Sequence, residues 1–318
     1  MTPSDSMQEQ VFGIVGVGPV GSILAGHLAK HGSKVVLVDI LKDHLDTIKT
    51  KGLTVSGVAQ FNVRIPDVCY SVSELAKHRV DAIFISVKAS LLPRILAEIK
   101  SVAAQGTYLI CFQNGLDNEL VVAKEFGEAH TLRCVINYAG NMKGDGHVDM
   151  TFFNKPNYIG TIAPAANEYA RRLAEILTAA GLETKFTETI KKFTWEKTIL
   201  NAGMLALCAV TKQTMKDAFD FKPTHQLVEG LVKESISVAK ADGFDFGPGF
   251  VDFCMNYFAK AGRHKPSMLV DLENQRPTEI DFINGRIVEY GEKLGVRTPY
   301  NLTITSIVKA LESGYKKA

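Results

Sequence analysis

Residues 11 to 40, VFGIVGVGPVGSILAGHLAKHGSKVVLVDI, constrain the fold more than any other part of the chain. An apolar run leads into a glycine turn, a helical pattern, the helix-ending Gly32 and a second apolar run that closes on Asp39. This is the pattern of a βαβ unit. Gly16, Gly18 and Gly21 form G-x-G-x-x-G at the strand-to-helix turn, the context in which that motif predicts a dinucleotide-binding loop. The first glycine permits a tight turn, the second lets a pyrophosphate approach the backbone, and the third lets helix pack on strand while the helix N-terminus faces the anion. Pro19 suits a first helical turn, where its missing N–H costs nothing, and Val20 fills out the loop. Glycines also serve as plain turn residues, but here strand, helix and terminal acid all accompany them. Asp39 stands where a carboxylate can bind ribose hydroxyls and repel a 2′-phosphate, which favours NAD(H). NADP(H) stays open, because Asp39 could instead cap the next helix and Lys42 could soften the repulsion.

Apolar runs recur at VDAIFISV (80–87) and GTYLICF (106–112), separated by the helix-like LLPRILAEIKSVAA, the alternation expected of a parallel sheet covered by helices. TLRCVINYAGN, GHVDMTFF and NYIGTI read as strands with no long helix between them, and are expected to form an antiparallel edge of the same sheet. AANEYARRLAEILTAAG and LETKFTE read as the last helix and strand of this half. Beyond them β-type runs vanish, and helical patterns are broken at AFDFKPTH, ADGFDFGPGF and AGRHKPS. The expected class is α/β: a disordered tail over 1–10, an N-terminal Rossmann dinucleotide-binding domain over 11–188, and an all-helical C-terminal domain over 189–318 for substrate binding and dimerisation.

A length of 318 residues with 46% hydrophobic and 22% charged side chains suits a two-domain globular chain with a large core. Thirty-six basic against 34 acidic residues leave a net +2, too small and scattered to predict a nucleic acid or membrane partner. A polar N-terminus and the lack of an apolar run of roughly 18 residues point to a cytoplasmic protein. The five cysteines are odd in number and never form CxxC, which supports neither a disulfide framework nor a zinc site. His27 and His31 have metal-ligand spacing but no carboxylate or cysteine to complete a site, so no metal is expected.

WEKTILNAGMLAL, Trp195 to Leu207, sets Lys197 four residues before Asn201 on an otherwise apolar helix, so both point one way. Polar groups on such a helix need a partner. A lysine held in apolar surroundings has its pKa lowered toward the working range and can protonate a ketone oxygen as hydride arrives, whereas a plain core-helix lysine would only extend toward solvent. In KPSMLVDLENQRPTEIDFINGRI (265–287), Pro277 is expected in a helix's first turn with Glu279 beside it, where the helix dipole favours a carboxylate. That Glu could pair with a lysine, bind a substrate hydroxyl or merely start the helix.

GVGPVG, Lys88 in ISVKAS, the Asn-Gly of CFQNG, WEKxxxN and SMLxDxxxxRxTEIDFING closely resemble, in that order and over nearly the full length, the ketopantoate reductase family. The resemblance implies a Rossmann domain and a helical domain with cofactor and a 2-oxo acid meeting in the cleft between them. The implied reaction is NAD(P)H-dependent reduction of a 2-oxo acid, 2-dehydropantoate to pantoate first. It implies Lys197 as general acid, Glu279 positioning substrate and lysine, and Ser267 on the substrate carboxylate. Asn201 would bind substrate oxygens, with Asn114 and Lys88 lining the cofactor and substrate cleft; a homodimer is the assembly expected.

Two departures matter. Family members acting on ketopantoate usually carry a second asparagine four residues after the first, where this chain has Leu205, so the polar row ends in an apolar group. Many members prefer NADPH and lack an acid at the position of Asp39. An NAD-dependent 2-hydroxyacid dehydrogenase acting on branched-chain or aromatic 2-oxo acids is therefore the alternative, and a non-catalytic redox sensor a further one. β-Hydroxyacid dehydrogenases share the lysine–asparagine spacing but lack the TEIDFING element.

Overall fold

In the computed structural model the described residues are 10–315, so the tail expected over 1–10 lies, Gln10 apart, outside them. The chain divides into two units, one of residues 1–113 and 117–190, the other of 114–116 and 191–318.

The first unit is built on an eight-stranded sheet. Its strands are β1 (Val11–Val15), β2 (Lys34–Val38), β5 (Val68–Cys69), β6 (Ala82–Ile85), β7 (Tyr108–Cys111), β8 (Thr131–Val135), β11 (Asn157–Thr161) and β12 (Thr184–Phe186), in the order β12-β11-β8-β7-β6-β1-β2-β5. From β5 to β8 every pairing is parallel. Alternate residues feed two cores: Phe12, Ile14, Phe84 and Ile110 on one face, Val15, Ile83, Ile85 and Leu109 on the other. Two-sided burial explains why these strands read as continuous apolar runs. Helices α1 (Pro19–Lys30), α2 (Lys42–Lys51), α3 (Leu92–Lys100), α4 (Asn118–Phe126) and α5 (Asn167–Ala179) connect the strands.

The expected antiparallel edge is corrected in part. β11 does run antiparallel to β8, and β12 follows it. β9 (Tyr138–Gly144) and β10 (His147–Phe153) instead join β3 (Leu53–Gly57) and β4 (Phe61–Val63) in a separate sheet of order β4-β3-β10-β9. The physical reason is a non-local parallel pairing of β10 with β3, which carries Val148 and Met150 into the core beside Val55. Hydrophobic periodicity cannot report a pairing between segments about ninety residues apart.

The second unit is helical among its described residues: α6 (Ile190–Thr211), α7 (Met215–Asp220), α8 (Lys222–Ala241), α9 (Phe250–Ala259), α10 (Ser267–Glu273), α11 (Asn284–Leu294) and α12 (Pro299–Ser313). Its core gathers Trp195, Ile199, Met204 and Cys208 of α6 with Phe258, Ile283, Ile287 and Leu116. Trp195 is fully buried, and its indole N–H donates to Asp242 at 2.9 Å, satisfying the one polar atom of the ring. Among the described residues no helix is long and apolar enough to cross a membrane.

Candidate active site

The order β5-β2-β1-β6-β7-β8 reverses direction between β1 and β6, and in such sheets ligands bind outside the carboxyl ends of the strands at that point. The glycine loop follows β1 and Lys88 follows β6, so both stand there. A Cβ on Gly21 would overlap the Gly16 carbonyl oxygen, so helix α1 can approach its own loop only with glycine in place. Gly18 differs: its φ is −69° and a Cβ there would meet nothing within 4 Å. Gly18 is also the N-cap of α1, with Pro19 and Val20 opening the helix and no side chain hydrogen-bonded to its free amides. An uncapped helix N-terminus beside an open approach fits a dinucleotide pyrophosphate.

Asp39 lies directly after β2 with both carboxylate oxygens engaged. Val17 N–H donates to Oδ2 at 2.6 Å and Leu41 N–H to Oδ1 at 3.0 Å. The acid thus braces the glycine loop and holds the turn after it, and each oxygen keeps a further lone pair for a hydroxyl donor. Sequence reading missed two hydroxyls that finish the loop: Ser22 donates to Val17 O at 2.9 Å and Ser86 to Gly16 O at 2.6 Å. Ser86 stands two residues before Lys88, and a serine at the end of a buried apolar strand was the available signal.

In the helical unit, Asn201 Nδ2 donates to Asn114 Oδ1 at 3.5 Å, and Asn114 Nδ2 donates to Glu279 Oε2 at 3.2 Å. Asn114 reaches this cluster because Gly115, at φ +90°, presses so closely on Phe282 that a Cβ would strike the Phe282 carbonyl, while Leu116 N–H donates to that same oxygen at 3.2 Å. Lys197 is partly buried one turn before Asn201 on α6 and, among the described residues, forms no ion pair. Burial pushes its ammonium pKa down from 10.5 to about 8, against the opposing pull of Glu196.

Leu205, one turn beyond Asn201, packs half-buried against the helical core. Ser267 opens α10 and is exposed, and among the described residues it is not hydrogen-bonded to Asn114, Asn201 or Glu279. The expected helix start at Pro277 is corrected. Pro277 is exposed loop, Glu279 precedes a single 3₁₀ turn (Ile280–Phe282), and α11 begins only at Asn284. Before the turn, Ile280 N–H donates to the Thr278 hydroxyl at 3.2 Å, a local side-chain turn that competes with a helical start at Pro277.

A switch-point glycine loop with an acid after the second strand, in a chain whose other, helical unit carries a depressed lysine and an amide–carboxylate cluster, is the pattern of a nicotinamide-dinucleotide oxidoreductase acting on CH–OH groups. The chain belongs to the ketopantoate reductase family. The pattern described as Ketopantoate reductase PanE/ApbA matches residues 12–164, and that of its C-terminal region matches 189–312. The chain is 31% identical to a 2-dehydropantoate 2-reductase of Streptococcus pyogenes serotype M3, covering 94% of this chain and 97% of that one. A Pyrococcus horikoshii protein of the same name is 27% identical over the same shares. Among solved structures, 2-dehydropantoate 2-reductase from Geobacter metallireducens superposes with a TM-score of 0.88 at 26% identity, covering 94% of this chain and 99% of that one. D-mandelate dehydrogenase in its ternary structure with NADH and anilino(oxo)acetate superposes at 0.87 and 27%, covering 96% and 99%.

Proposed function

We propose that this protein reduces 2-dehydropantoate to pantoate, with Lys197, Asn201, Asn114 and Glu279 as the substrate-handling set. The observation that carries this reading is the hydrogen-bonded chain Asn201–Asn114–Glu279, with Lys197 one turn before Asn201 on the same helix and its ammonium pKa pushed down by burial. A bound nicotinamide supplies the hydride to the carbonyl carbon. Lys197 gives a proton to the carbonyl oxygen as negative charge builds on it, leaving a hydroxyl and a neutral amine that solvent reprotonates. Glu279 orients the Asn114 amide, and that amide in turn orients Asn201 to grip substrate oxygens. Ser267, exposed at the start of α10, is assigned to the substrate carboxylate. Gly16, Gly18, Pro19, Val20, Gly21, Asp39 and Lys88 hold the dinucleotide. A cytoplasmic homodimer completes the reading, and light scattering on the purified chain tests the dimer.

Turnover of NADH and NADPH with 2-dehydropantoate, 2-oxoisovalerate and phenylglyoxylate tests the reading, and failure to turn over any of the three would sink it. For the cofactor, kcat/KM with NADH exceeds that with NADPH, and Asp39→Ser narrows or reverses the ratio. Because Asp39 also braces Val17, the same change raises KM for both dinucleotides. A parent enzyme that strongly prefers NADPH would leave Asp39 as a brace alone.

Leu205 favours a second reading within the same chemistry, an apolar 2-oxo acid, and the likeness to D-mandelate dehydrogenase supports it. An apolar wall discriminates by only about 1–3 kcal/mol per methylene, whereas a hydrogen-bonding wall rejects analogues lacking the hydroxyl far more strongly. The chain therefore accepts 2-oxoisovalerate readily, and Leu205→Asn moves kcat/KM toward 2-dehydropantoate by ~1 kcal/mol, about fivefold. Unchanged substrate ratios in that variant would make Leu205 simply core.

A further inference from the structure

The TEIDFING segment carries a further polar residue, Asn284, for which the proposed chemistry has no use. It is completely buried at the first position of α11. Both N–H donors of its amide are spent: Nδ2 lies 3.0 Å from Ala202 O on α6 and 3.0 Å from Asn301 Oδ1. Asn301, also completely buried, passes the connection on by donating to Glu234 Oε2 at 2.9 Å. Glu234 in turn accepts Tyr300 N–H and Asn301 N–H at 2.8 and 2.9 Å, capping the start of α12. One polar line therefore ties α8, α12 and α11 to a main-chain carbonyl of α6. A carbonyl has two lone pairs, so Ala202 O can take the Asn284 amide in addition to its intrahelical bond.

Ala202 is the residue after Asn201. Starting from Asn201, the contacts run to Asn114, to Glu279, along the short turn to Asn284, and back to α6 at Ala202. The ring closes one residue from where it began. On the far side, Gly203 lies about 200° round the helix from Asn201 at roughly 100° per residue. A Cβ there would come 2.9 Å from Val232 and 3.1 Å from Phe258, so α6 is seated tightly against α8 and α9. The seat resists translation of the helix, and the Asn284 bond on a flank resists its rotation.

We propose that Asn284 is a positioning residue that fixes the rotation of α6 about its axis, so that Lys197 and Asn201 face Asn114 and Glu279 in one register. The inference rests on the activity assigned to Lys197, and its test has a readout that does not depend on that activity. Asn284→Asp keeps the shape but removes both donors and sets a carboxylate against two carbonyl-type oxygens. The full-length variant is labelled with trace acetic anhydride across a pH series, and acetylation of Lys197 is followed by mass spectrometry. In the parent the midpoint falls at about 8. In the variant it moves upward, because a rotated helix gives Lys197 more solvent and so a more ordinary pKa. With 2-oxo acid, kcat falls at least about tenfold while NADH affinity stays within about twofold, a loss of geometry rather than of binding.

Asn301→Ala provides the comparison. It removes an equally buried amide but leaves the Asn284–Ala202 bond, so the melting temperature drops while the Lys197 midpoint stays in place. Should Asn284→Asp not fold, Asn284→Ser is read the same way. A folded Asn284 variant with the parent's midpoint overturns the proposal, as does an Asn301→Ala midpoint that moves equally far. A parent that reduces no 2-oxo acid, with the midpoint still moving in Asn284→Asp, sinks the activity and leaves the positioning role standing.

Discussion

Replacing Lys197 with alanine lowers kcat for 2-oxo acid reduction by at least about a hundredfold, the lower end of what general acid catalysis contributes. Dinucleotide affinity is unchanged, because the glycine loop belongs to the other unit. The parent's kcat in the reductive direction falls as pH rises through about 8, where Lys197 loses its proton, and the variant's residual rate lacks that limb. Near-parental turnover in Lys197→Ala would remove the residue from the chemistry.

The same lysine has a stability consequence of opposite sign. Its folded pKa, about 8, lies below the unfolded value of 10.5, so between those limits the folded chain binds fewer protons and stability rises with pH. Below about 8 the full cost of holding the ammonium in place is present. Lys197→Met is therefore more stable than the parent at pH 7, by at most ~3 kcal/mol, and the gap closes as pH approaches 10.5. Thermal melts at both pH values measure it; a variant less stable at pH 7 would show that Lys197 is not held at a cost.

Two of the loop glycines, Gly18 and Gly21, separate fold from ligand in a second large effect. Gly21→Ala drives a methyl into the backbone carbonyl of Gly16, a clash no side-chain rotation relieves, so both melting temperature and NADH affinity fall, the affinity at least about tenfold. Gly18→Ala meets nothing, and its φ of −69° suits any residue, so the protein melts as the parent does. If the bare backbone at Gly18 serves pyrophosphate approach, that variant nonetheless loses NADH affinity. Parental NADH binding in Gly18→Ala would mean that the phosphates do not pass there.

Much of this site could be read in the sequence because its parts are local. The glycine spacing, Asp39 at a strand end and the four-residue step from Lys197 to Asn201 each follow from the geometry of one element. The family resemblance added Asn114, Lys88, Ser267 and a positioning role for Glu279 as candidates, of which Asn114 and Glu279 are hydrogen-bonded to each other. What escaped was non-local. Nothing around Asp39 announces that its carboxylate braces Val17, because that bond depends on how β2 lies beside β1. Pro277 looks like a helix start because proline suits that position, yet Thr278 holds the chain in a local turn through Ile280 N–H. The partnership of Asn284 with Ala202 and Asn301 joins positions far apart in the chain, and a buried asparagine has no periodicity to betray it.

The excursion of residues 114–116 into the helical unit sets a rule for recombining these proteins. A chimaera that exchanges everything after residue 190 imports Lys197, Asn201 and Glu279 together but inherits Asn114 from the other parent. It also inherits the other parent's residue in place of Leu116, which is fully buried among the incoming helices. The heritable module is thus two pieces of sequence. A graft that carries residues 114–116 along with the C-terminal half keeps the cluster in one ancestry.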